Sequence, residues 1–217
     1  HTDPQVLGRV VALAAPKPGW AVLDVGTGTG HTAFAFSPHV DSVTGMDLTQ
    51  EMLAEAERLR AEQSFTNVTF QIADVHDLPF DDGVFHLVTC RRAAHHFSEI
   101  QKALREIRRV LRPGGRLVID DRSVPEDDFV DPCMNQLDTY HDESHVREYR
   151  PSEWRAMLDE EGFEVETIEP YVRHRPLTSL TDGVSEENVK RIQETLGRLT
   201  APQKKALYLI EKDGQLY

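Results

Sequence analysis

The chain has 217 residues, 39% of them hydrophobic and 28% charged, with a formal net charge of −13. This is the composition of an ordinary soluble globular protein with room for one sizeable core. A carboxylate surplus spread along the chain argues against gripping a nucleic-acid backbone or an anionic membrane surface, both of which need clustered Lys and Arg. No apolar run is long enough to span a bilayer, and no stretch reads as a signal peptide. The two cysteines, Cys90 and Cys133, form no paired motif, so no disulfide framework is expected and a reducing, cytoplasmic compartment is the default.

Short apolar runs alternate with helical patterns up to residue 120. The runs are Ala21 to Val25, Ser42 to Asp47, Val68 to Ile72, Phe85 to Cys90 and Arg116 to Asp120. Most are almost continuously apolar, as strands covered on both faces must be. Between them, Thr49 to Ala61 repeats Met52, Leu53, Ala56 and Leu59 at helical spacing. Ser98 to Leu111 carries an apolar stripe of Ile100, Leu104, Ile107 and Leu111, ending at Pro113-Gly114-Gly115. The order predicts right-handed crossovers and an α/β, Rossmann-like, doubly wound parallel sheet. Residues 122–151 read as polar and irregular. Beyond them, a helix capped by Ser152 and closed by Gly162, a sixth strand over Phe163 to Tyr171, and helices from Ser185 to Leu199 and from Ala201 to Ile210 are expected.

In a sheet of this kind ligands sit beyond the carboxyl ends of the strands. Three such ends carry markers. The first is "VLDVGTGTGHT", where a strand runs directly into Gly26, Thr27, Gly28 and Gly30. Glycines let the chain turn sharply and let a ligand approach the backbone. A dinucleotide fingerprint is GxGxxG, but here the spacing is GxGxG and His31 stands in the place of the last glycine. A Walker loop would need Gly-Lys-Ser/Thr, which is missing. Asp24, just before the loop, suits a ligand amine better than a diphosphate. The second marker is Asp47, placed to accept from both hydroxyls of a ribose. The third is Asp74, placed to accept from an adenine amino group.

These residues, with "GMDLTQEML", "NVTFQIADVHDLPF", "AAHHF" and "EIRRVLRPGGRLVI", resemble the class I S-adenosylmethionine-dependent methyltransferases. The likeness is to the broad subgroup that includes the ubiquinone and menaquinone C-methyltransferases. "SHVREYRPSEW" also resembles a small bacterial branch of it. The resemblance covers roughly residues 20–121 and implies a seven-stranded sheet with S-adenosylmethionine across the first strand ends. It implies that Asp24, Gly26, Thr27, Gly28 and Gly30 face the methionine portion and that Asp47 holds the ribose. Leu48 and Met52 would line the adenine, Asp74 and Val75 its polar edge, and Cys90 and Arg91 the region near the sulfonium. It implies one domain over 1–217, with 1–121 as cofactor-binding core and 122–217 as substrate lid and remaining sheet. The product would be S-adenosylhomocysteine and the acceptor a small molecule; the alternative is a module that binds the cofactor without transferring its methyl group.

Two features depart from the family pattern. The fourth strand opens Phe85-His86 where Phe-Asp is usual, and a surface place is expected for His86. After Asp213-Gly214, a good hairpin turn, little chain follows. Either Ala206 to Glu211 serves as the last strand or the chain stops short of it; the second reading is preferred.

For chemistry, "RRAAHHF" follows the fourth strand. His95 and His96 are the candidate bases there, because histidine titrates near neutral pH and an acceptor should lie at this strand end. Being adjacent, they cannot both point the same way. Asp121, His141, His145 and Arg147 are candidate substrate contacts. His141 and His145 stand at i,i+4 spacing, but with no cluster of carboxylates or cysteines to complete a site, no metal is expected.

Overall fold

The computed structural model of the chain describes residues 3–172, 176–212 and 215–216. It divides into two units, 1–121 and 122–217.

The first unit opens with α1 (Pro4–Ala14), whose N-cap Asp3 accepts from the Gln5 N–H while Pro4 supplies a pre-set first turn. Strand β1 (Ala21–Val25) follows, then α2 (His31–Phe36), β2 (Ser42–Asp47), α3 (Gln50–Glu62) and β3 (Val68–Ile72). Next come β4 (Phe85–Arg91), α4 (Ile100–Val110) and β5 (Leu111–Asp120). The five strands form one parallel sheet in the order β3-β2-β1-β4-β5. The order reverses between β1 and β4, so the crevice for a ligand opens beyond their carboxyl ends. Val22, Val43, Val68 and Leu87 pack from four neighbouring strands with Phe34 and Phe36 of α2 and Val10 and Ala14 of α1. Ile100, Ala103, Leu104, Ile107 and Val110 form the buried face of α4.

β5 starts at Leu111 rather than Arg116. Leu111 pairs with Phe85, and Leu87 pairs with Arg116, so Arg112 to Gly115 form an irregularity in the strand. The glycines that read as the stop of a helix thus also bulge a strand. No α-helix connects β3 to β4. Instead α4 clamps that crossing: Glu106 accepts the Leu78 N–H, and Arg109 donates to the carbonyls of Leu78 and Phe80.

The second unit contains α5 (Val130–His141), α6 (Pro151–Glu160), α7 (Glu186–Gly197), α8 (Ala201–Ala206) and a small antiparallel pair, β6 (Glu211–Lys212) with β7 (Gln215–Leu216). Its apolar cluster joins Leu137, Ile192 and Leu196 with Tyr140, Leu180 and Leu199.

Several expectations are corrected here. Residues 122–151 are not irregular throughout, since α5 lies within them. α6 begins at Pro151, and Ser152 does not cap it; its N–H and hydroxyl both donate to Glu126, while Glu153 accepts the Arg150 N–H. Residues 163–171 form no strand. The first four side chains do alternate, with Phe163 and Val165 half-buried and Glu164 and Glu166 exposed, but a strand also needs a ladder partner. The last helix ends at Ala206, and Glu211–Lys212 pair in a sheet of their own. Five strands, not seven, therefore form the main sheet among the described residues. The Asp213-Gly214 turn lies outside them.

His86 is half-buried rather than on the surface. Its Nδ1 accepts the Ala21 N–H at 3.1 Å, its ring stacks on Trp20, and Arg112 approaches Nε2. Burial first, and the Arg112 charge second, lower its pKa below the usual histidine value. It supplies an acceptor to the first N–H of β1.

Candidate active site

The glycine loop leaves β1 with three left-handed residues, Gly26 at φ 64°, Gly28 at 52° and Gly30 at 84°. At Gly26 a side chain is excluded outright, because its Cβ would come within 2.4 Å of the Cβ of Ala93. This contact presses the loop against the turn after β4. At Gly28 a Cβ would meet nothing within 4 Å, so its backbone faces open space. Thr27 is tied inward: its N–H donates to the Met46 carbonyl and its hydroxyl to Asp24.

Asp24 is buried beneath this loop, and one carboxylate oxygen accepts from Thr27 Oγ1 at 2.6 Å, the other from Thr89 Oγ1 at 2.7 Å. Burial raises its pKa to about 6, against the lowering effect of those hydroxyls and of Arg91. Asp24, expected to suit a ligand amine, is buried and shapes the loop from below. Cys90 is likewise buried, and burial pushes its thiol well above the usual value. Arg91 turns its Nε to Thr32 Oγ1 at 2.9 Å.

At the end of β2, Asp47 accepts the Gly28 N–H at 2.8 Å with one oxygen and the Thr49 N–H at 2.9 Å with the other. The carboxylate is thereby fixed at the mouth of the loop. Three apolar side chains stand exposed around it in sequence and register: Leu48 (66%), Met52 (46%) and Ile72 (56%), the last paired with Asp47 across the ladder. Bare aliphatic side chains beside a fixed acceptor suit a ligand with hydroxyls and a flat apolar ring. At the end of β3, Asp74 is exposed and accepts from the N–H and Nδ1 of His76; these hydrogen bonds hold its pKa below the usual carboxylate range. The Val75 side chain is buried under that turn.

After β4, Arg92 takes a left-handed φ of 55° and its N–H donates to the Asp120 carbonyl. A short 3-10 turn over Ala94–His96 follows. His95 is buried and meets Asp121 twice: ring Nδ1 to Oδ1 at 2.6 Å, and backbone N–H to Oδ2 at 3.0 Å. The His96 ring lies against it, 4.0 Å between centroids and tilted 43°. Asp121, expected as a substrate contact, thus engages His95.

The remaining candidates serve the second unit's own packing. His141 ends α5 and its ring meets the Leu180 carbonyl. His145 lies beyond the helix end, buried against Asn135. The two do not share a helical face, because α5 stops between them. Arg147 bridges Asp131 and Glu153 and covers the Tyr149 ring. Among the described residues no group of three or more His, Cys, Asp or Glu is arranged to hold a metal ion. Also among them, no helix is long and apolar enough to cross a membrane.

Thr89, Ile72 and Ala93 were not singled out from sequence. A threonine inside an apolar strand and an isoleucine at a strand's carboxyl end are weak signals by themselves. Ala93 carries none, because its role is to touch a residue 67 positions away.

A parallel sheet in this order, with a glycine loop at β1 and an acidic residue closing β2, defines a Rossmann-like nucleotide-binding class. Comparison with known proteins narrows it. The methyltransferase domain family matches residues 23–119. The uncharacterized methyltransferase YcgJ of Bacillus subtilis is 45% identical over 152 residues, covering 70% of this chain and 60% of that protein. The crystal structure of the YcgJ protein superposes with a TM-score of 0.93 at 35% identity, covering 99% of this chain and 93% of that one. The ubiquinone/menaquinone biosynthesis C-methyltransferase UbiE of Shewanella frigidimarina is 30% identical over 191 residues, covering 81% and 75%. The chain belongs to the class I S-adenosylmethionine-dependent methyltransferases, among relatives of the UbiE kind. It spans about 60% of the length of YcgJ in the sequence alignment.

Proposed function

We propose that this protein is a methyltransferase that binds S-adenosylmethionine at the β1–β2 strand ends and methylates a small-molecule acceptor. The observation that carries the reading is Asp47, fixed by the Gly28 and Thr49 N–H groups beside exposed Leu48, Met52 and Ile72. In this reading Asp47 holds the ribose, the aliphatic side chains cover the adenine, and Asp74 with the Val75 backbone takes its polar edge. The backbone of Gly26, Thr27, Gly28 and Gly30 runs along the methionine portion. Asp24 and Cys90 shape that wall from within, and Arg91 closes it.

When bound, S-adenosylmethionine supplies a methyl group already activated as a sulfonium. The protein's part is then to align the acceptor and exclude water, which together can lower a barrier by ~7–11 kcal/mol. In this reading His95 and His96 are the groups that take the proton leaving the acceptor. Quinone and arsenite methyltransferases among the relatives support a small acceptor. We read 1–217 as one methyltransferase domain, with 122–217 selecting the acceptor. Two unbridged cysteines are consistent with a reducing, cytoplasmic setting.

Calorimetric titration with S-adenosylmethionine tests the site. Asp47→Ala is expected to weaken binding by roughly 1.5–3 kcal/mol, the scale of a charged hydrogen bond. Equal affinity in the variant would remove Asp47 from the site, and absence of binding to the wild type would sink the reading. Incubation with S-adenosylmethionine and a metabolite extract should release S-adenosylhomocysteine; binding without release would favour the non-transferring alternative.

A further inference from the structure

We infer that Asp121 is a positioning residue that holds His95 as a base, and that the acceptor is therefore one that loses a proton on methylation, such as a phenol, an enolisable carbon or an ammonium. This rests on the methyl-transfer reading above.

Asp121 follows directly on the last residue of β5, and its two oxygens take two N–H groups of the same residue across the crevice end of the sheet. One accepts the His95 backbone N–H at 3.0 Å; the other meets ring Nδ1 at 2.6 Å. An ionised carboxylate can only accept, so Nδ1 carries the hydrogen. In the neutral ring, Nε2 is then the basic nitrogen. The side chains are 6% and 2% exposed, so water competes little for either bond. The tilted His96 ring confines the imidazole from one side. The Ala93–Gly26 approach ties the same turn to the glycine loop. Packing alone would require neither the two-point grip nor the buried charge.

The proton of the acceptor moves to Nε2, and its electron pair stays behind to bond the methyl carbon, while the C–S pair remains on sulfur. The imidazolium, steadied by the Asp121 carboxylate, then returns the proton to solvent. An acceptor that already offers a lone pair, such as arsenite, has no use for this relay.

The bidentate geometry makes Asp121→Asn an informative variant. Its amide must turn its oxygen to the His95 backbone N–H, which cannot change. Its NH2 then faces Nδ1, and the ring is driven to the Nε2–H tautomer. The experiment is nitrogen-15 NMR of the full chain with labelled histidine, the His95 signals assigned by their loss in His95→Gln. The wild type is expected to show protonated Nδ1 and bare Nε2, and Asp121→Asn the reverse. A wild-type ring protonated at Nε2 overturns the proposal without any variant, as does an unchanged tautomer in Asp121→Asn. Calorimetry on the same samples should give equal S-adenosylmethionine affinity. Loss of that affinity in the wild type would strike the methyl-transfer reading while the tautomer result stood. For the acceptor, naphthohydroquinone and sodium arsenite are the probes. Turnover of the hydroquinone that falls roughly 10²–10⁴-fold in Asp121→Asn supports the class. Arsenite turnover that is equal in wild type and variant overturns it.

Discussion

The two units bury charge in opposite ways. In residues 3–121 the interior is apolar, and a carboxylate buried in it, Asp24, is met by the neutral hydroxyls of Thr27 and Thr89, while Asp121 at the sheet's edge is met by His95. In the unit from 122 onward, buried Asp131, Asp138 and Glu148 are met by guanidinium groups. Arg147 and Arg150 both reach Asp131, while Arg122 reaches Asp138 and, more distantly, Glu148. The consequence is visible in the pKa directions. Burial outweighs the Thr27 and Thr89 hydroxyls, Arg91 and the Ala33 backbone N–H, and raises Asp24 to about 6. Burial also pushes Asp131 upward, but the two arginines outweigh it and hold that carboxyl below its ordinary value. At Asp24 the first unit holds a carboxylate against neutral hydroxyls in an apolar frame; the second is built on charges paired with arginine.

The largest test of this contrast is Asp131→Ala. It strips two guanidiniums of a shared partner, although both keep some contact with water. The expected loss is about 3 kcal/mol, the low end for breaking a buried pair, read by denaturant melting and by hydrogen exchange in α5. Unchanged protection of α5 amides would mean that the network does not hold the helix, and the comparison would break. Because the folded pKa of Asp131 is depressed, its contribution is present above the unfolded value and fades as pH falls through the folded one.

Asp24→Asn probes the other unit with the opposite sign. A raised folded pKa means that the stability Asp24 contributes is full below its unfolded value of 3.8 and is lost as pH rises through about 6. Thr27 and Thr89 hydroxyls can accept from an amide, so the variant should stay folded. It should gain relative to wild type between pH 4 and pH 8 by on the order of 2–3 kcal/mol, at about 1.4 per pKa unit. Parallel melting curves across that range would show Asp24 to be an ordinary paired carboxylate.

His86→Asp is the gentlest change. An aspartate can accept from Ala21 N–H and Arg112 together, so stability should move by less than about 1 kcal/mol. The lowered histidine pKa makes the wild type lose stability as pH falls below the unfolded value of 6.5, and the variant should lack that loss. A large destabilisation at pH 8 would mean that stacking on Trp20, not the acceptor, is what matters at this position.

The same contrast explains what could be read in advance. β1, β2 and β3 fall where the apolar runs place them, because a strand covered on both faces must be apolar at nearly every position. α5 was invisible to that logic. Its buried face is Val130, Asp131, Leu137 and Asp138, half of it carboxylate, and periodicity equates burial with apolarity. The failure over 163–171 is the reverse case, an alternation that runs only from Phe163 to Glu166 and has no ladder to join.

At the site, the glycine loop and Asp47 were legible because each rests on local necessity: left-handed turns at a strand end and an acceptor at the next one. The pairing of His95 with Asp121 was not, although both were candidates, since nothing local says that a residue after β5 will turn to a residue after β4. By itself, then, the sequence determined the parallel strands, the helices that follow β2 and β4 and the side chains that end the strands, because periodicity and backbone sterics act over a few residues. Tertiary structure alone decided which acids lie beneath the surface, which meet arginine and which meets histidine, because burial and hydrogen bonding depend on neighbours that only folding brings together.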